Sequence, residues 1–213
     1  MLVLDALTIT LDGRLLLALD RRIAPGEIFS VMGPSGSGKS SLLAFVGGFL
    51  DPAFTASGKV LLEDRDITDL RPEARGIGLL FQDALLFPHF SVGQNLLFGL
   101  RPEVKGRAAR RAEAETMLEK VGLAGFFDRD PATLSGGEAA RIALGRTLLA
   151  GPKALLLDEP FSRLDTALRQ SVRSLVFDLI RETRIPAVLV THDREDALAA
   201  GGAVLDLGTG AFA

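Results

Sequence analysis

The chain has 213 residues, a formal net charge of -3 from 24 basic and 27 acidic side chains, and 47% hydrophobic residues, enough for one domain with a sizeable core. That balance gives no basic footprint of a nucleic-acid binder, and the lack of cysteine excludes disulfides and thiolate metal sites. Every apolar run is broken before the roughly 18 residues that a membrane-spanning helix needs.

At the N-terminus, "MLVLDALTITLDG" has no basic leader and no continuous apolar segment, so no signal peptide is expected and the cytoplasm is the default compartment. Asp12-Gly13 lies between two extended-looking runs and predicts a hairpin, hence an antiparallel sheet. Ile28 to Met32 reads as a strand, and Leu42, Leu43, Val46, Phe49 and Leu50 follow it at helical spacing. Gly58 to Leu62 reads as a strand and "EDRD" (63–66) as a turn. Dense alternating charge over 103–121, with Ala114, Met117, Leu118 and Val121 on one side, predicts a surface helix, and about 83–147 forms an inserted helical lobe.

Ala154–Leu157 and Ala187–Val190 carry no polar residue and suit buried parallel strands. Leu168, Val172, Leu175, Val176 and Leu179 recur between them at helical spacing, and this strand, helix, strand order argues for an α/β core. The last strand is expected at Ala203–Leu207, so 1–213 is read as a single domain with no room for another.

"GPSGSGKS" (33–40) fits the spacing G-x-x-x-x-G-K-[ST], with a strand before it and a helix after. The loop of Gly33, Pro34, Ser35, Gly36, Ser37, Gly38, Lys39, Ser40 and Ser41 would wrap phosphate oxygens in the backbone N–H groups of all its residues but the proline. Lys39 would reach the outer phosphates and Ser40 a Mg2+ ion. The expected fold is therefore α/β: a P-loop NTPase core around a parallel sheet, with an N-terminal antiparallel β subdomain and the helical lobe. In "ALLLDEP" (154–160) two acids end an apolar strand. A solvated turn explains them in isolation; beside a phosphate loop, Asp158 is placed to hold Mg2+ and Glu159 to polarise a water. In "LSGGE" (134–138), Ser135 and Glu138 have capping-box spacing, which leaves Gly136-Gly137 in a first helical turn without explanation unless bare N–H groups there read a second phosphate surface.

The ordered set "GPSGSGKS", "FQD" (81–83), "LSGGE", "LLLDEP", "SRLD" (162–165) and "THD" (191–193) resembles the ATP-binding cassette (ABC) family of transporter ATPases over essentially the whole chain. The resemblance implies two copies facing head to tail, with Ser135, Gly136 and Gly137 of one contacting the γ-phosphate of ATP held by the loop of the other. It implies that Gln82 senses Mg2+ and the attacking water, that His192 contacts the γ-phosphate beside Glu159, and that Asp165 lies in a loop crossing the seam. It further implies membrane-spanning permease subunits as partners, indirectly a solute-binding protein, and a place on the cytoplasmic face of the inner membrane. No nucleic-acid partner is expected.

"FQDALLFPHFSVGQNLLFGL" (81–100) is similar to importer cassettes for thiamine, sulfate, molybdate, iron or polyamines, and Leu85, Leu86, Phe87 and Phe90 are either lobe core or a contact for a membrane subunit. His89 is read as a surface or partner-contact residue. Three departures stand out: Leu11 takes the place of an adenine-stacking aromatic, so weak nucleobase discrimination is expected; Glu138, Ala139 and Ala140 precede Arg141 where glutamines are common; and no C-terminal β-rich regulatory domain is expected. The alternative to a transport motor is a soluble or regulatory ATPase of the same family.

Overall fold

A computed structural model describes residues 1–208 and 211–212. Asp12 and Gly13 both take positive φ, 49° and 76°, and turn β1 (Leu2–Leu11) back on β2 (Arg14–Ile23) as the expected antiparallel hairpin. The chain continues through β3 (Ile28–Met32), α1 (Lys39–Gly47), β4 (Phe54–Leu62), β5 (Arg65–Asp66) and β6 (Ile77–Leu80). Then come α2 (Val92–Gly99), α3 (Arg107–Lys120), α4 (Gly136–Leu149), β7 (Ala154–Asp158), α5 (Thr166–Thr183) and β8 (Ala187–Val190). α6 (Arg194–Ala200), β9 (Val204–Asp206) and β10 (Ala211–Phe212) close the described chain.

Two compact units result: Met1–Leu79 with Lys153–Glu159 and Phe177–Ala213, and Leu80–Pro152 with Pro160–Val176. In the first, a four-stranded antiparallel sheet runs in the order β2-β1-β4-β5 and a six-stranded sheet in the order β10-β9-β3-β8-β7-β6. β3 pairs parallel with β8 and β9, and β7 pairs parallel with β8, because apolar runs such as "ALLL" (154–157) and "AVLV" (187–190) are stable only when both faces are covered. Leu4, Ile9, Phe29, Val31, Leu42, Val46, Leu156 and Val188 share one buried cluster that joins both sheets and α1.

The second unit is helical. α2, α3 and α4 pack on one another through buried Leu96, Ala114, Leu118, Ile142 and Leu144. Several boundaries differ from the sequence reading. β4 starts at Phe54, four residues before Gly58, because Phe54–Ser57 pair across to Thr8–Leu11 of β1. Of the expected turn 63–66, Glu63 and Asp64 turn with positive φ, while Arg65 and Asp66 pair back onto Leu62 and Leu61 as β5. The helix expected over 103–121 runs from 107 to 120, starting after Gly106 at φ 89°.

Candidate functional site

The parallel register decides what meets at the strand ends. Val31 and Asp158 both pair with Val190, so the residues just beyond, Gly33, Glu159 and His192, leave the carboxyl ends of three neighbouring strands, where open α/β sheets place their ligands. Between β3 and α1 the chain makes a loop that only glycine accommodates at several points, with φ 151° at Gly33, 79° at Gly36 and 95° at Gly38. A β-carbon on Gly33 would also lie 2.8 Å from Ser37 Oγ.

Lys39 is only 7% exposed, and its Nζ donates to the carbonyls of Gly33 (2.7 Å) and Pro34 (2.8 Å), fixing the curvature of the loop. α1 starts at Lys39 with Gly38 as N-cap, no side chain caps it and no acid stands in its first turn. The first N–H groups of a helix have no intrahelical partner, so this terminus is a positive, donor-rich end. Ser37 Oγ is buried with no hydrogen-bond partner. An orphaned hydroxyl, a near-buried ammonium and uncapped N–H groups are donors that suit a phosphate.

At the end of β7, Asp158 is partly buried, and burial together with the nearby Glu159 charge raises its proton affinity above the ordinary aspartate value, while Lys39 opposes the shift. Two adjacent carboxylates that repel each other fit a divalent cation held through oxygen, with the exposed Ser40 as a further oxygen donor on the first turn of α1. Among the described residues no group of three or more acidic or histidine side chains could hold a metal ion.

Glu159 takes φ 45°, a conformation that costs on the order of 1–3 kcal/mol for a non-glycine residue and is fixed by its N–H donating to Val190 O at 2.9 Å. This geometry places Glu159 Oε2 2.9 Å from His192 Nδ1. The buried Thr191 sets the entry to α6, its Oγ1 accepting from the Asp193 N–H at 3.0 Å. Leu11 ends β1 opposite Phe54 of β4.

The remaining expected site residues belong to the second unit. Ser135 Oγ accepts from the Glu138 N–H (3.3 Å) and Glu138 Oε2 accepts from the Ser135 N–H (2.7 Å), a complete capping box that holds the Glu138 carboxyl below its usual range. Gly136 is open, with Leu164 Cδ2 3.6 Å from an added β-carbon. Gly137 has an internal reason: a β-carbon there would stand 2.4 Å from Leu168 Cδ2 of α5. Asp165 accepts from the Leu168 N–H at 3.0 Å and starts α5, and Gln82 is exposed.

The stretch after Gln82 is partly packed and partly exposed. Phe87 is half-buried, 4.5 Å from the Phe98 ring and 5.6 Å from that of Phe90, whereas Leu85 is 57% exposed and Phe98 66%. Arg146 and Asn95, absent from the sequence reading, hold this stretch. Arg146 donates to Leu85 O (2.9 Å) and Ala84 O (3.1 Å), and the buried Asn95 accepts from the Phe87 N–H (2.8 Å) and donates to its carbonyl (3.1 Å). No local spacing marks either residue, because each acts on main-chain atoms brought near by packing.

A family model described as "ABC transporter" matches residues 16–162. The chain belongs to the ABC transporter family. This ABC ATPase is 52% identical over 196 residues to the ABC transporter ATP-binding protein YnjD of Escherichia coli K12, covering 92% of this chain and 89% of that protein. It is 45% identical over 197 residues to the thiamine import ATP-binding protein ThiQ of Cereibacter sphaeroides (92% and 84% covered). With the sulfate/thiosulfate import ATP-binding protein CysA of Gloeobacter violaceus it shares 42% over 188 residues, covering 88% of the chain and 54% of that protein.

Among solved structures, the dimeric post-hydrolysis state of the cassette MJ0796 bound to ADP and Pi matches with TM-score 0.78 at 30% identity, covering 99% of this chain and 95% of that one. cbiO1 from Clostridium perfringens, part of the transporter complex cbiONQ, matches with TM-score 0.86 at 28% identity, with 100% and 86% covered. ATP is the substrate of the family, with Mg2+ as its usual companion, and the phosphate donors and paired carboxylates described above suit both.

Proposed function

We propose that this chain is the ATP-hydrolysing subunit of a solute importer, working as two copies that close on two nucleotides and drive separate permease subunits on the cytoplasmic face of a membrane. The observation that carries the reading is the Glu159 carboxylate, held by a positive φ and 2.9 Å from His192 Nδ1, beside the Lys39 loop at neighbouring strand ends.

In this reading the loop Gly33–Ser41 binds the phosphates through N–H groups and the Lys39 ammonium, Ser40 and Asp158 would hold the cation, and the family resemblance assigns Gln82 to it as well. A bound Mg2+ ion supplies charge neutralisation on the transferred phosphoryl oxygens. Glu159 orients a water and takes its proton as the water oxygen bonds to the γ-phosphorus and the bond to the bridging oxygen breaks, releasing ADP and phosphate. His192 keeps the Glu159 carboxylate aimed and contacts the γ-phosphate. Ser135, Gly136 and Gly137 of the second copy add donors from the capped start of α4, and Asp165 faces the seam.

Import follows the relatives named for thiamine and sulfate/thiosulfate, and partnership with a permease is supported by exposed Leu85, Phe90 and Phe98 around Phe87, an apolar surface suited to a membrane subunit's helix. Among the described residues no helix is long and apolar enough to cross a membrane.

The test is affinity purification of tagged Glu159→Gln protein from detergent-solubilised host membranes with Mg·ATP present. Recovery of a polytopic membrane protein supports the importer reading, and a co-purifying solute-binding protein narrows the cargo. Recovery of ribosomal or repair proteins alone would contradict transport and favour the soluble alternative.

A further inference from the structure

The residue next to Gln82 is fastened by a charge. Arg163, on the stretch between Pro160 and Asp165, forms an ion pair with Asp83, and the two are 60% and 48% exposed at the side chain. Beyond it, Arg146 holds the carbonyls of Ala84 and Leu85, so three consecutive residues after Gln82 are each tied by an arginine. Beside them lies a cleft of about 220 Å³, lined by Gln82, Asp83, Ala139, Ala140, Arg163 and Leu164 among others. Ala139 and Ala140 end at the β-carbon and leave this volume open where a longer side chain would fill it.

We propose that Arg163 and Asp83 are positioning residues for hydrolysis, forming a salt-sensitive latch that holds the Gln82 loop to the stretch leading from Glu159 to Asp165. The inference rests on the assignment of Gln82 to the cation and water. A pair this exposed is screened by salt and contributes a factor of about five or less. It therefore biases the orientation of the Gln82 loop and lets it release, whereas a buried pair would lock it.

The experiment uses the full chain in three forms: Asp83→Asn, Arg163→Gln, and the reversed pair Asp83→Arg with Arg163→Asp. Hydrogen exchange of backbone amides 82–86 and steady-state hydrolysis of Mg·ATP are measured on each. Each single variant is expected to exchange faster over 82–86 and to lose about three- to fivefold in kcat, with KM changed less than about twofold. The reversed pair is expected to recover both, and high salt to bring the wild type to the level of Asp83→Asn. Unchanged exchange in the single variants, or a reversed pair no better than they are, overturns the latch. Gln82→Ala, assayed alongside, separates the two readings: a normal kcat there overturns the role given to Gln82, whereas a slowed Gln82→Ala with a normal Asp83→Asn overturns the latch.

Discussion

Asp158 is a residue whose cost in the fold and use in the site have one origin. Burial and the Glu159 charge favour its neutral form, and Lys39 only partly offsets them, so its folded pKa stands above the ordinary 3.8. Over that interval the folded chain binds more protons than the unfolded one, so the contribution of Asp158 to stability falls as pH rises from 3.8 through the folded value, and ionised Asp158 costs stability at neutrality. Asp158→Asn is therefore expected to melt higher than the wild type at neutral pH, with the gain fading below pH 3.8, while Mg2+-dependent hydrolysis drops by at least about tenfold. Thermal melts across that pH range, with Mg2+ titrations of the rate, check both halves. A variant with wild-type melting and wild-type turnover would contradict the electrostatic account.

At the scale of elements, α1 couples the phosphate loop to a buried arginine. Arg75, 6% exposed, donates to Phe45 O (2.8 Å) and Val46 O (2.9 Å) at the C-terminal end of α1, to Leu70 O (2.8 Å) and to Thr68 O. A cation there complements the helix dipole that favours phosphate at the opposite end. Arg75→Met strands several carbonyls and is expected to cost about 2–3 kcal/mol, lowering Tm by about 5 °C or more. An unchanged Tm would mean that these bonds add nothing net.

The sequence made legible those elements whose cause is local. Asp12-Gly13 carries its own turn chemistry, Gly33 to Ser40 its own conformational demand, and "ALLLD" its own burial. What stayed hidden depends on distant partners. The start of β4 needs β1 as a template, Gly137 needs Leu168, and Arg75, Arg146 and Asn95 act on main-chain carbonyls that no spacing marks. Glu159 was legible as an acid at a strand end, but its positive φ and its bond to His192, 33 positions away, come only from the pairing of β7 with β8.

For the whole molecule, the proposed site residues fall into two sets. The phosphate loop, Asp158, Glu159 and His192 belong to the first compact unit, and Gln82, Ser135 to Gly137 and Asp165 to the second. The chain spans 89% of YnjD and 84% of ThiQ but about half of CysA, so the shared part of these proteins is this pair of units.

If a working site takes its loop from one copy and its glycine pair from another, two variants that are each inactive must complement one another. Lys39→Ala removes the phosphate lysine, while Gly136→Asp puts a negative charge where a γ-phosphate would come, at a position where a β-carbon has room within its own chain. Each variant alone should be silent. Mixed in equal amounts, about half the dimers pair the two variants with one intact site each, so about a quarter of the wild-type rate of Mg·ATP hydrolysis is expected. A mixture as silent as its components, or a Gly136→Asp protein that hydrolyses ATP normally by itself, would contradict the shared site.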